Sequence, residues 1–293
     1  MRVLLTGANG QLGRCVQDVF AASGHELTAF DRLALDISNS ESVNSVVGKH
    51  CPQVIINAAA YTAVDKAEAE SELAAQINTV GAANLARAAN DIDALLIHIS
   101  TDYVFDGRKT TPYVETDATN PQGVYGQTKL AGEQEIQHHC SKHLILRTAW
   151  VFSEYGNNFV KTMLRLGKER DALSVVDDQV GCPTYAGDIA RACLSVCEAA
   201  EAGQAKYGVY HYCGGEAVSW YEFASIIFEQ AVAKGLLPKM PSLAAITTEQ
   251  YPTPAVRPAY SVLDEARFLS DYGASPLKSG EAIRVCLERL AND

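Results

Sequence analysis

The sequence predicts an α/β protein organised on a doubly wound parallel sheet, with a smaller lobe drawn from its second half. Three observations carry this reading. Short apolar strands alternate with helix-length segments up to residue 152, and a glycine-rich turn follows the first strand. Polar side chains also gather just past strand carboxyl ends, where open parallel sheets bind ligands.

Arg2 to Thr6 reads as a short buried strand, and Gly7-Ala8-Asn9-Gly10-Gln11-Leu12-Gly13 turns it into a helix over 11–22. Gly7 would allow the tight turn, Gly10 a close approach of backbone to a pyrophosphate, and Gly13 tight packing of helix on strand. The glycines fall three apart rather than in Gly-x-Gly-x-x-Gly spacing, so an ordinary strand-to-helix turn stays open. A second strand, Glu26 to Phe30, ends at Asp31-Arg32. Asp31 favours NADH by holding the adenosine ribose hydroxyls, whereas Arg32 could pair with the 2′-phosphate of NADPH; the preference stays open. Asp36 could reach the adenine amino group or serve as a turn or cap residue before a crossover helix over 38–50.

Val54 to Ala60 is an apolar strand ending in small residues, which would let a flat cofactor lie against the backbone, and Tyr61, Thr62 and Asp65 follow it. An alanine-rich helix is predicted over 71–90, with Asn78 either bracing the neighbouring backbone or facing solvent. The next buried strand, over 95–105, carries Ser100, Thr101 and Asp102, and hydroxyls there could polarise a bound carbonyl. A helix over 125–140 and a strand over 144–152 continue the alternation. Residues 1–152 thus read as a Rossmann-type NAD(P)-binding domain.

Beyond 153 the elements shorten. A helix from Asn157 carries Lys161, Arg165 and Lys168 as a basic stripe, which could meet a diphosphate or simply be solvated. A turn-rich loop over 177–184, a strand over 209–215 and a capped helix over 219–234 follow, and the prolines of 251–258 exclude helix. Residues 153–293 read as a smaller substrate-binding lobe, partly interleaved with the sheet.

The helix over 125–140 opens with Tyr125 and Lys129, four residues apart and therefore on one face. An ammonium beside a phenol favours phenolate and lowers the tyrosine pKa, so that it can exchange a proton with a substrate oxygen. That chemistry suits reduction of a carbonyl. Such spacings also arise by chance among 13 tyrosines and 24 lysines and arginines, so the pair draws its weight from the rest of the chain.

Bulk properties narrow the partners. A net charge of −11 and a pI near 5.1 argue against nucleic-acid or anionic-membrane binding. The sequence shows neither an apolar run long enough to span a membrane nor a signal-peptide pattern, so a cytoplasmic protein is expected. Eight cysteines lack Cys-x-x-Cys or zinc spacing and read as reduced thiols, with Cys193 and Cys197 on one face of a helix.

With Thr6-Gly7-Ala8-Asn9-Gly10-Gln11-Leu12-Gly13, Asn57-Ala58-Ala59, Ser100-Thr101-Asp102 and Tyr125-x-x-x-Lys129 in this order, the chain resembles the extended short-chain dehydrogenase/reductase superfamily. Within it, segments 100–107, 124–133, 147–152, 157–163 and 257–261 are similar to the dTDP-4-dehydrorhamnose reductase family. The resemblance implies NAD(P)H-dependent reduction of the 4-keto group of dTDP-4-dehydro-6-deoxy-L-mannose, giving dTDP-L-rhamnose. Related 4,6-dehydratases carry Asp-Glu after Ser-Thr to eliminate water, but here Tyr103 follows Asp102, which leaves simple ketone reduction.

By the same resemblance Tyr125 donates a proton, Lys129 tunes it and binds the nicotinamide ribose, and Thr101 hydrogen-bonds the reacting oxygen. Asp102 and Trp150 are implied to contact the sugar, and Arg257 the substrate phosphates; a core tryptophan is the alternative for Trp150. Gly10, Gln11, Leu12, Asp31, Asp36, Ile37, Ala60, Tyr61 and Thr62 carry over as cofactor contacts. Some family members need Mg2+ and dimerise through acidic residues, but carboxylates are thin around Cys15 and before Asp188. The metal and a homodimer therefore stay open. So do a reductase or epimerase of another nucleotide-linked keto sugar and a non-catalytic role like that of the methionine adenosyltransferase regulatory subunit.

Overall fold

In the computed structural model, which describes residues 1–292, the first half follows an alternating path. β1 (Arg2–Thr6) leads through the glycine turn into α1 (Gln11–Ala21), then β2 (Glu26–Phe30). The helix α2 (Ser40–His50) starts where the Asn39 side chain accepts from the Ser42 amide, and it returns the chain to β3 (Val54–Asn57). A short helix α3 (Val64–Ala67) precedes α4 (Ser71–Ala75), a π-helical stretch at Gln76–Val80 and α5 (Gly81–Asp91).

The sequence suggests one regular helix over 71–90, but its middle is widened. There the buried Asn78 donates to the Tyr61 carbonyl at 3.1 Å and accepts from the Tyr61 amide at 2.9 Å, bracing the backbone past β3. A π-turn at a point where one side chain holds another segment is a familiar placement for such an irregularity.

β4 (Leu95–Thr101) is shorter than the expected strand because Thr101 caps a 3-10 turn at Asp102–Val104, its hydroxyl accepting from the Tyr103 amide. α6 (Val124–His139) leads to β5 (His143–Thr148). The strand expected over 144–152 is interrupted: Trp150 adopts a φ of +47°, and β6 (Val151–Phe152) leaves the sheet. Left-handed backbone is unusual for so bulky a residue and marks a place where something other than strand propensity decides.

α7 (Phe159–Glu169), β7 (Ala172–Val176), β8 (Val180–Gly181) and β9 (Thr184–Tyr185) begin the second lobe, where β9 pairs with β6. The chain then returns to the sheet. α8 (Ala186–Glu201) packs on α1, and β10 (Gly208–His211) adds a parallel strand beside β5. β11 (Val218–Ser219), α9 (Trp220–Ala233), β12 (Ser242–Ile246), α10 (Ala266–Tyr272) and α11 (Ser279–Asn292) follow. The main sheet order is β10-β5-β4-β3-β1-β2, all parallel.

Alternation along each strand explains the layers. Val3 and Leu5 of β1 face α1 and α8, whereas Leu4 faces α2 and α5, so both faces are apolar as a covered parallel sheet requires. Cys193 and Cys197 are both buried under α8, against the first of these layers. A separate core joins Phe223, Phe228 and Leu287 of α9 and α11 to Phe152 and Tyr185, so the second lobe has its own apolar centre. No helix among the described residues is long and apolar enough to cross a membrane.

Candidate active site

The ligand cleft opens past the carboxyl ends of β1, β2 and β3, with a volume near 470 Å³. Backbone shape makes it. Gly7 holds φ +73°, and a Cβ there would stand 2.7 Å from the Ala58 carbonyl carbon, while a Cβ on Gly13 would overlap the Gly7 carbonyl oxygen. Gly10 caps α1, whose first turn carries no acidic residue, so its free amides and positive dipole end face the cleft. Gly7, Gly10, Asp31, Arg32, Asp36, Ile37, Ala60, Tyr61 and Thr62 all line the space. Leu12 and Gly13 instead pack beneath the turn, and Gln11 reaches across to the second lobe, its Oε1 accepting from Asn158 at 2.8 Å.

The two acids expected at the adenosine end are already engaged by their own loops. Asp31 Oδ1 accepts from the amides of Leu33 and Ala34, and Oδ2 accepts from Asn9. Asp36 Oδ1 accepts from the Ser38 amide and hydroxyl, the turn role left open in the sequence. Arg32 makes no ion pair among the described residues, and next to it Leu33 is 96% exposed at the rim.

The residues expected at the reacting end lie one strand further along. Tyr125 sits in the first turn of α6, which is started by Glu68 accepting from the Val124 amide at 2.9 Å. The helix approaches so closely that a Cβ on Gly126 would overlap the Tyr103 carbonyl oxygen. The Tyr125 and Tyr103 rings meet edge to face at 5.5 Å, and Thr101 is among the neighbours of the Tyr125 phenol. Part of Tyr125 stays exposed, but protein atoms crowd the phenol. That burial pushes its pKa up, opposed by the Thr101 hydroxyl and reinforced by Asp102. Asp102 is itself buried, and desolvation lifts its carboxyl to about 6 although Ser261 and Thr101 favour the ion. Its Oδ2 has no well-formed hydrogen bond among the described residues.

Lys129 departs from the sequence expectation. Its amine is buried and turned beneath the helix, donating to the Ile99 carbonyl at 2.7 Å and lying 3.2 Å from His98 Nε2. Desolvation lowers it to about 8, with Glu133 opposing. The phenol is therefore raised rather than lowered in the ligand-free protein, because in this buried setting the loss of hydration outweighs any help from the lysine. Behind it, Glu133 and Arg147 form a fully buried forked pair at 2.6 to 3.2 Å, joined by Ser100.

The residues expected to meet the substrate include an aromatic stack. Trp150 stacks on Trp220 with ring centroids 3.4 Å apart and planes within 6°, and the Trp220 indole donates to Gln179. Arg257 is not free: it pairs with Asp65 at 2.7 Å and donates to the Tyr103 hydroxyl at 3.1 Å. Lys161 likewise donates to the Glu154 carbonyl and Arg165 pairs with Glu169, so the basic stripe is largely engaged by its own lobe. No cluster of His, Cys, Asp or Glu able to hold a metal occurs among the described residues, and Asp188 is bound by Arg191 and the Leu277 amide.

Sequence reasoning missed Trp220, Gln179 and His98. Trp220 meets Trp150, and Gln179 meets Trp220, only through the fold. His98, however, interrupts the apolar strand 95–99, and a polar ring at a buried strand position signals an obligatory partner.

A glycine-turn cleft on a parallel sheet, with Tyr125 and Lys129 on the helix at its end, defines the extended short-chain dehydrogenase/reductase class. A family model described as the RmlD substrate binding domain matches residues 1–292. The dTDP-4-dehydrorhamnose reductase of Aggregatibacter actinomycetemcomitans is 49% identical over 277 residues, covering 94% of each chain. A Clostridium acetobutylicum dTDP-4-dehydrorhamnose reductase structure superposes with a TM-score of 0.92 at 42% identity, covering 99% of this chain and 100% of the other. The Bacillus anthracis enzyme, solved in complex with NADP, gives 0.90 at 39% identity, covering 98% and 99%. The chain belongs to the dTDP-4-dehydrorhamnose reductase family.

Proposed function

We propose that this protein reduces the 4-keto group of dTDP-4-dehydro-6-deoxy-L-mannose to give dTDP-L-rhamnose, using NADPH or NADH, in the cytoplasm. The observation that carries the reading is Tyr125, with Thr101 beside it, at the reacting end of the glycine-turn cleft in a chain of this family.

The nicotinamide cofactor supplies the hydride. The glycine turn and the α1 amides would hold its pyrophosphate, and Ala60, Tyr61 and Thr62 would line its place in the cleft. Thr101 hydrogen-bonds the ketone oxygen and Tyr125 gives that oxygen its proton. The raised phenol pKa suits this direction, because the donor must be protonated before it acts. Trp150 and Asp102 contact the sugar. Arg257, fixed by Asp65, contributes positive charge near the diphosphate. With Asp31 engaged by its own loop and Arg32 unpaired, NADPH is the preferred cofactor. Residues 1–152 act as the cofactor domain and 153–293 as the substrate lobe, which lends β10 and α8 to the sheet.

Absorbance at 340 nm after adding the enzymatically made keto sugar tests this, with NADPH and NADH in parallel. Tyr125→Phe should lower kcat by roughly 10²–10⁴-fold while leaving NADPH binding intact. Tight NADPH binding without turnover in the unmutated protein would overturn the reductase reading.

A further inference from the structure

The first residue of α1, Gln11, is gripped by the second lobe, and the direction of that grip is fixed. The turn over 153–158, between β6 and α7, supplies it. Asn158 caps α7: its Oδ1 accepts from the Lys161 amide at 3.1 Å, and its Nδ2 faces the carbonyls of Ser153 at 2.7 Å and Tyr155 at 3.3 Å. A backbone N–H can only donate and a carbonyl can only accept, so the Asn158 side chain has one orientation. The same Nδ2 meets Gln11 at 2.8 Å, and a donor there requires the Gln11 oxygen. The Ser153 hydroxyl lies 3.3 Å from that oxygen. Gly156, at φ +62°, lets the turn come this close, since a Cβ there would stand 2.9 Å from Gln11 Cγ.

With its oxygen turned to the second lobe, Gln11 has its Nε2 left over. No hydrogen bond from that nitrogen occurs among the described residues. A side chain at a helix start leans toward the N-terminus, which brings this amide beside the free N–H groups of α1 that suit an anion. We propose that Asn158 is a positioning residue, turning the Gln11 carboxamide so that Nε2 donates to the cofactor diphosphate and the substrate lobe completes the cofactor site. The inference rests on the reading that the cleft takes NADPH or NADH.

The docking of the turn does not depend on Asn158. The Tyr155 hydroxyl donates to Asp18 at 2.9 Å, and the Arg14 guanidinium lies 5.6 Å from the Tyr155 ring centre, so the turn is fastened further along the same face of α1. Glu154, buried between them, accepts from Arg289 of α11 at 2.6 Å. Loss of the Asn158 donor therefore releases the Gln11 amide rather than the lobe. A released amide can turn its oxygen toward the diphosphate, where two acceptors would oppose each other.

NADPH affinity, read by nucleotide fluorescence on the intact chain, tests this in a cycle of Gln11→Ala, Asn158→Ser and the two together. Serine keeps the cap of α7 but is too short to reach Gln11. Each single change should weaken NADPH binding roughly tenfold, and the pair no more than either alone, because Asn158 acts through Gln11. A merely structural Asn158 would make the two losses multiply. That result, or normal affinity in Gln11→Ala, overturns the proposal.

A second arm leaves Asn158 untouched. In Gln11→Glu the carboxylate still accepts from Asn158 and Ser153 but meets the diphosphate with an oxygen. Its NADPH affinity should fall roughly tenfold or more at low salt, and the gap to the unmutated protein should narrow as salt is added. Affinity equal to that of the unmutated protein at low salt overturns the proposal. Neither arm uses the keto sugar, so normal NADPH binding without turnover counts against the reductase reading alone, whereas an unmutated protein that binds neither nucleotide overturns both.

Discussion

The cofactor cleft beneath β1–β3 and the reacting end at β4, α6 and the second lobe use different materials. In the cleft, the surface offered to a ligand is mostly backbone: the turn at Gly7, the free amides of α1 and the small residues 58–60. Its acidic side chains are tied into their own loops by short local bonds, as Asp31 is to Leu33 and Ala34. At the reacting end the surface is side chain. Tyr125 is brought to Thr101 and Asp102, and Trp150 to Trp220, only in the folded protein. The first region should therefore fail through backbone shape, and the second through single groups whose loss leaves the fold intact.

Gly13 gives the strongest test of that contrast. A methyl group there would collide with the Gly7 carbonyl and the Ala8 backbone, neither of which is a flexible side chain, so the turn itself must move. Gly13→Ala should destabilise the protein by roughly 1–3 kcal/mol and weaken NADPH binding by more than tenfold. Calorimetry and nucleotide titration measure both. Normal NADPH affinity in this variant would break the view that backbone geometry shapes the cleft.

Trp220 tests the other region at a smaller expected cost. Trp220→Leu removes the plane on which Trp150 rests and leaves Gln179 without its indole donor. Loss of one aromatic pair is worth about 0.5–1.5 kcal/mol beyond area. KM for the keto sugar should rise roughly tenfold while NADPH affinity stays as it was. A change in NADPH binding of equal size would mean that the two regions are not separable in this way.

How much was legible before the structure follows the same division. The cleft was readable because glycine spacing, an acidic residue after β2 and small residues after β3 are local signals, each contained within a few positions. The strand and helix alternation of the first half was readable for the same reason. The break at Trp150 was not, because its positive φ accompanies the departure of β6 to pair with β9 some thirty residues away. The return of β10 to the sheet was foreseen only as a partial interleaving, since four residues such as Gly208–His211 carry little periodicity of their own. The orientation of Lys129 escaped for a related reason: the helix places it on the Tyr125 face, but the Ile99 carbonyl and His98 decide where the amine ends.

Asp102 offers the finest test, because there the reacting end should be improved in stability by the change that damages it in function. The carboxyl is buried with Oδ2 lacking a well-formed partner, and its folded pKa stands at about 6, above the usual 3.8. Between those values the folded protein holds the proton more tightly than the unfolded chain, so stability falls as pH rises through the window, and the full cost is present above about 6. A shift of this kind corresponds to roughly 1–3 kcal/mol. Asp102→Asn removes the charge with little change in shape. Its melting temperature should exceed that of the unmutated protein at pH 7 to 8, and the difference should shrink toward zero as the pH is brought to about 4. Turnover of the keto sugar should drop in the same variant, since an amide cannot accept from sugar hydroxyls as a carboxylate does. A melting difference that stays constant across the pH range would show that Asp102 does not ionise against its surroundings, and its burial would then be an ordinary packing matter like that of its neighbours on β4.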